Sequence, residues 1–96
     1  MIMRFEWDEA KNRSNQVKHG LSFETAALVF DDPHQLSVQD RHEGPEERWQ
    51  TVGLVGGMVV ILVAHTWREH GDDEVIRIIS ARKATQKERT RYEQNH

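Results

Sequence analysis

From Met58 to Thr66 the chain reads Met-Val-Val-Ile-Leu-Val-Ala-His-Thr, a run of aliphatic and β-branched residues with no polar side. A strand that is apolar on both faces has to be covered on both, so this segment belongs in the middle of a sheet with a layer above and a layer below. The apolar part, Met58 to Ala64, is far shorter than the roughly 18 residues a membrane span requires. The rest of the chain must therefore supply neighbours and covers for this strand.

The neighbours are legible as period-two segments bounded by turn residues. Arg48 to Val55 precedes it across Gly56-Gly57, a pair that favours a two-residue hairpin. That turn pairs Val55 with Met58 and puts Arg48 opposite His65. One face would then hold Arg48, Gln50, Val52 and Leu54 beside Val59, Ile61, Val63 and His65. A longer loop, Trp67 to Asp73, leads to a strand from Val75 to Ala81. Gln35 to Asp40 reads as a modest strand, His42 to Glu47 as a polar connection, and Arg4 to Trp7 as a short first strand. With the Val75 strand beside the His65 strand, Arg48, His65, Arg77 and Arg82 gather at one end or face. A one-residue slip would reverse every face.

The covers are helices with readable ends. Asp8 is placed as N-cap of a helix from Glu9 to His19, and Gly20 supplies the left-handed position after it. Ala10, Ser14, Val17 and Leu21 mark its weak inner stripe. Ser22 caps a second helix whose Phe23, Ala26, Ala27 and Phe30 follow helical spacing, and Asp31-Asp32-Pro33 stops it. Thr85-Gln86-Lys87-Glu88 is a capping box opening a last helix. Strand, two helices, a strand meander and a final helix make an α+β fold: an antiparallel sheet with helices mostly on one face. The 96 residues form a single domain, 1–96.

There is no cysteine, which excludes disulfides, thiolate catalysis and Cys-zinc sites. Six histidines show no helical metal-ligand spacing, so neither a metal nor another cofactor is expected. The start of the chain lacks a secretory h-region, which leaves the cytoplasm as the expected location. A formal net charge of −3 is unlike a general nucleic-acid binder, but the charge is unevenly distributed. Acids crowd residues 31–48, and Lys/Arg crowd residues 77–96. An arginine inside the apolar Val75 strand, followed at its end by Ser80, Arg82 and Lys83, suits phosphate recognition.

Phe5-Glu6-Trp7-Asp8, Lys18-His19-Gly20-Leu21-Ser22-Phe23, Phe30-Asp31-Asp32-Pro33, Glu47-Arg48-Trp49, His65-Thr66 and Arg77-Ile78-Ile79-Ser80-Ala81-Arg82-Lys83-Ala84, with Glu88-Arg89 and Tyr92, resemble the BrnT toxins of type II toxin–antitoxin pairs. The resemblance spans nearly the whole chain. It implies a RelE-like fold and metal-free RNA cleavage that arrests translation. It also implies a BrnA-like antitoxin, a ribbon-helix-helix protein, that forms a hetero-oligomer with the toxin and represses their operon, so that operator DNA is met only through the antitoxin.

Such cleavage needs a base, an acid and cations for the phosphorane. Arg77 is read as transition-state stabiliser or as a structural ion pair, and Arg82 as a phosphate contact or a helix-flanking charge. His65 serves as acid or base, or as a hydrogen-bonded structural residue. Lys18 and His19 suit the last turn of a helix and, by the resemblance, line the site. Arg48, Lys83 and Tyr92 complete the RNA-binding set, Tyr92 either packing its helix or stacking on a base. The tryptophans Trp7, Trp49 and Trp67 are read as core or partner contacts. The competing description is a non-catalytic module that binds a partner protein or operator DNA through its basic end.

Overall fold

The computed structural model describes residues 2–43 and 46–94. Gly44 and Pro45, within the expected polar connection, lie outside the described residues, as do the last two of the chain. The order is β1 (Met3–Glu6), α1 (Glu9–His19), α2 (Phe23–Ala27), a 3₁₀ turn (Leu28–Asp31), β2 (Leu36–Glu43), β3 (Glu46–Val55), β4 (Val59–His70), β5 (Asp73–Lys83) and α3 (Gln86–Gln94).

Strand β4 is the middle of a five-stranded sheet ordered β1-β5-β4-β3-β2. Strands β2 to β5 form the antiparallel meander, and β1 joins the β5 edge in parallel. This is α+β as expected, with a mixed sheet rather than a purely antiparallel one. Helices α1 and α2 cover one face, where Phe23, Ala26, Val29, Ile61, Val63, Ile76, Ile78 and Ala81 are fully buried or nearly so. Helix α3 covers part of the other face through Tyr92 on Val52 and Leu62.

The caps behave as local chemistry dictates. Asp8 Oδ1 accepts from the Ala10 and Lys11 N–H groups at 2.8 and 3.2 Å, and Gly20, at φ 70°, donates to Gln16 C=O at 2.9 Å. Glu88 N–H donates to Thr85 Oγ1 at 3.2 Å while Thr85 N–H donates to Glu88 Oε1 at 2.8 Å, closing the box.

The buried side of α1 corrects the expected stripe at every position but Leu21, which does join the core. Ala10, Ser14 and Val17 face solvent, and the residues that face the core are Asn12 and Asn15. Asn15 lies against the stretch of β5 beyond the end of β1. Its Nδ2 donates to Ala81 C=O and Leu21 C=O, both at 2.8 Å, and its Oδ1 accepts from Ala81 N–H at 3.1 Å. One amide thus stands where the next strand would be and satisfies an edge that would otherwise be open. Asp32 does the same for β3 past the end of β2. Its carboxylate accepts from Leu54 N–H at 2.8 Å and from Tyr92 Oη–H at 2.5 Å, tying α3 to the opposite layer.

Two turns differ from the reading of the residues. Gly56 and Gly57 do turn with positive φ, and Met58 N–H donates to Val55 C=O at 3.2 Å. Met58, however, stays out of the ladder, exposed, and pairing resumes as Val55 opposite Val59. Arg48 is therefore opposite Thr66 and not His65, and the expected shared face of Arg48 and His65 does not exist. The long loop after Thr66 is strand instead: β4 runs on to His70 and turns at Gly71-Asp72, with His70 opposite Asp73.

Candidate nucleic-acid interface

The arginines of β5 are brought together by one irregularity. Arg77 and Arg82 are five residues apart, and an ideal strand would send them to opposite faces. Between them Ala64 pairs with Ser80 and the next residue, His65, pairs with Ile78, so Ile79 is an extra residue on β5. That bulge restores the parity. Arg77 is opposite Thr66 and Arg82 opposite Leu62, on the face away from α1 and α2.

Across the sheet, Arg48, Thr66 and Arg77 form one row, and β1 extends it with Glu6. The next row is Gln50, Ala64 and Ser80, and the one after it Val52, Leu62 and Arg82. Helix α3 roofs the third row. In the first two rows the short side chains of buried Thr66 and half-buried Ala64 and Ser80 lie between exposed Arg48 and half-exposed Arg77. From strand spacings, Arg48 and Arg77 stand roughly 10 Å apart and Arg77 and Arg82 about 13 Å at Cα.

The arginines are held by carboxylates of different grip. Glu88 clamps Arg82 with two bonds, 2.8 and 3.0 Å. The Arg82 guanidinium in turn drives the Glu88 carboxyl down to about 2. Glu6 takes Arg68 at 2.7 Å but stands 4.0 Å from Arg77. The hydrogen bond from Arg68 holds the Glu6 carboxyl below its ordinary range. Arg77 is thus the less committed cation, with 41 % of its side chain exposed.

Lys18 and His19 lie on the other side of the β5 edge, where they share a depression of about 200 Å³ with Ile79 and Ser80. Ser80 thus borders this depression as well as the row of Gln50 and Ala64. Lys83, opposite Ile61, points to the side of α1 and α2, away from Arg82.

His65 and Tyr92 are not part of the open face. His65 is fully buried beneath Phe30, ring centroids 4.9 Å apart and nearly perpendicular. It sits on the face opposite Arg77 and Arg82. Its Nδ1 is 3.1 Å from Thr66 C=O and its Nε2 2.7 Å from Thr51 Oγ1. A carbonyl can only accept, so Nδ1 carries the proton and Thr51 donates to Nε2. Thr51 then accepts from Ser37 Oγ–H at 2.8 Å, which completes a directed chain. Burial pushes the imidazole down, toward the neutral form. Tyr92, buried against Val52 and Leu62, has no ring face for a base. Burial and its bond to Asp32 push its hydroxyl up to about 12.

Arg68 and Gln50 were missed as members of this face. Arg68 sat in the segment read as a loop, and Gln50 had been assigned to the His65 face by the slipped register. Among the described residues no group of three or more His, Asp or Glu could hold a metal ion. No helix among them is long and apolar enough to cross a membrane.

Residues 7–88 match the family model described as ribonuclease toxin, BrnT, of type II toxin–antitoxin system. The crystal structure of the Brucella abortus ribonuclease toxin, BrnT, is similar over 90 % of this chain and 100 % of that one, with a TM-score of 0.58 and 24 % identity. That likeness shows the fold. No curated protein sequence matches the chain.

Proposed function

Since the chain belongs to the BrnT family of ribonuclease toxins of type II toxin–antitoxin systems, we propose that it cuts RNA in the arginine trough by metal-independent attack of a ribose 2′-oxygen on the neighbouring phosphorus. The 2′-hydroxyl proton leaves to a base as the new P–O bond forms. The 5′-oxygen departs with a proton from an acid, giving a 2′,3′-cyclic phosphate and a free 5′-hydroxyl. Extra negative charge on the phosphorane is met by Arg77, with Arg48 across the floor and Arg82 on the adjoining phosphate. We assign proton transfer to His19 with Lys18 at the β5 edge, and to His65 and Tyr92 structural roles. By this reading the protein acts in the cytoplasm, inhibits translation, and is neutralised by a ribbon-helix-helix antitoxin of the BrnA type that binds it as a hetero-oligomer.

The observation that supports this best is the common side of Arg48, Arg77 and Arg82 over a floor of small residues. One well-aimed donor contributes about 3–4 kcal/mol to the transition state. Arg77→Ala should therefore lower kcat/KM for an RNA oligonucleotide roughly 10²–10³-fold. Lys87→Ala, at an exposed position in the first turn of α3, should leave it within a few-fold. Cleavage should persist in excess EDTA, and expression of the chain alone should arrest growth unless the antitoxin is co-expressed. RNA binding without cleavage by any preparation would favour the non-catalytic module.

A further inference from the structure

The cations of this sheet face do not end with Arg77. One row further out, buried Val75 is flanked by Arg4 on β1 and Arg68 on β4. Alternation puts both on the side of Glu6, Arg77 and Thr66, two positions along each strand and so about 7 Å away. Arg82, Arg77 and this outer pair mark a line along β5 of roughly 20 Å. The cations grow more open along it: the side chains of Arg77, Arg68 and Arg4 are 41, 48 and 60 % exposed. Beyond them the β4–β5 turn is acidic, with Asp72 in the turn and Glu69 opposite Glu74. A polyanion is drawn as far as the outer pair and repelled past it.

Both outer arginines are held without being used up. Arg4 gives its Nε to Asp73 at 2.9 Å, and Arg68 gives one Nη to Glu6 at 2.7 Å. A guanidinium has five N–H donors, so each keeps several for another anion while its carboxylate fixes its direction. Asp73 is only 19 % exposed, so the open end of that pair is the cation. Pairs this exposed add little to stability, and β1 already has its ladder on β5. We infer that Arg4 and Arg68 bind RNA phosphates on one side of the cut, the strand lying along β5 with its scissile phosphate at Arg77. The inference rests on the ribonuclease reading above and adds to it a substrate of several nucleotides with a preferred side of extension.

The test uses the full chain and RNA oligonucleotides lengthened on the 5′ or on the 3′ side of one cleavage site. Lengthening on one side only should lower KM by about tenfold and leave kcat in place, because the added contacts lie away from the reacting atoms. Arg4→Ala and Arg68→Ala should each take away most of that gain. Each should also flatten the plot of log affinity against log salt by about 0.7, the share of one phosphate on a single strand. Asp73→Asn breaks the same ion pair as Arg4→Ala but frees the guanidinium, so it should tighten RNA binding where Arg4→Ala weakens it. If the pair only fastens β1, both variants move binding the same way, and that result overturns the inference even where a variant is less stable. A KM independent of length, with cleavage that still needs Arg77, overturns it too and leaves the ribonuclease reading standing. Length-dependent binding, lost in both arginine variants, by a protein that cuts no RNA supports the outer pair and overturns the ribonuclease reading.

Discussion

Replacing His65 by alanine separates a structural histidine from a catalytic one. The ring is fully buried, packs edge-on against Phe30, and makes two hydrogen bonds. Removing it leaves a cavity under the 3₁₀ turn, for which aromatic truncations in cores cost about 3–5 kcal/mol. It also removes the imidazole hydrogen bond to Thr66 C=O, worth roughly 0.5–1.5 kcal/mol net. Thr51 keeps Ser37. Relaxation and water entry offset part of the sum, so about 4 kcal/mol is a fair total. For a domain of this size each kcal/mol moves Tm by about 4–8 °C, which places the loss at roughly 15–30 °C. Thermal unfolding followed by circular dichroism measures it. Cleavage assayed at low temperature, per folded molecule, should stay within a few-fold of the parent. A variant with the parent Tm that has lost cleavage a hundredfold would refute the structural assignment of His65.

Acid should weaken the fold from about pH 6.5 downward. Burial holds His65 below the ordinary imidazole range, so the unfolded chain takes up its proton first and stability is lost as pH falls toward the folded pKa. A urea-midpoint series on the parent and His65→Ala should show this slope in the parent and lose it in the variant. Glu88 adds a second window, its contribution present above pH 4.5 and fading as pH drops toward about 2. Discounted for partial solvent exposure, it amounts to roughly 1–2 kcal/mol. Glu88→Gln should release Arg82 to phosphate, tightening RNA binding several-fold and steepening the plot of log affinity against log salt by about one phosphate contact. Asn15→Ala should cost about 3 kcal/mol in equilibrium unfolding, because Ala81 N–H and C=O and Leu21 C=O lose their partner at once. A loss under 1 kcal/mol there would mean that water closes the β5 edge equally well.

What could be read from the residues is what local chemistry decides. The ends of α1 and the box at Thr85 depend on contacts three or four residues apart, and both stand where the caps predict. The central place of β4 followed from its two apolar faces. Long-range features escaped. The slip at Met58 is one residue, enough to exchange the faces of β3 relative to β4 and to separate Arg48 from His65. The outer end of β4, Trp-Arg-Glu-His, projects where its last residues are exposed, so no apolar alternation marked it as strand. Asn12 and Asn15 were passed over because an amide on the inner side of a helix carries no hydrophobic signal. Their partners are set by tertiary contact alone. Of the site, the basic character of the β5 end was visible, and Arg77 and Arg82 do share a face. The burial of His65 was not visible, since its partners Thr51 and Phe30 lie 14 and 35 positions away.

The unpaired Ile79 makes the two arginines of β5 a matter of counting. A strand holding one residue more than its partner can shed that residue without changing the side of anything downstream. Deleting Ile79 would straighten the ladder, set the guanidiniums four apart, and leave Arg82 on its face with α3 behind it. Deletion of a residue that is in register, between Ser80 and Lys83, would instead invert the tail of the strand and carry the last helix toward the layer already filled by α1. Chains of this architecture are thus free to drift in length at a single point of their longest hairpin, and a spacing of four or five between these arginines describes the same surface.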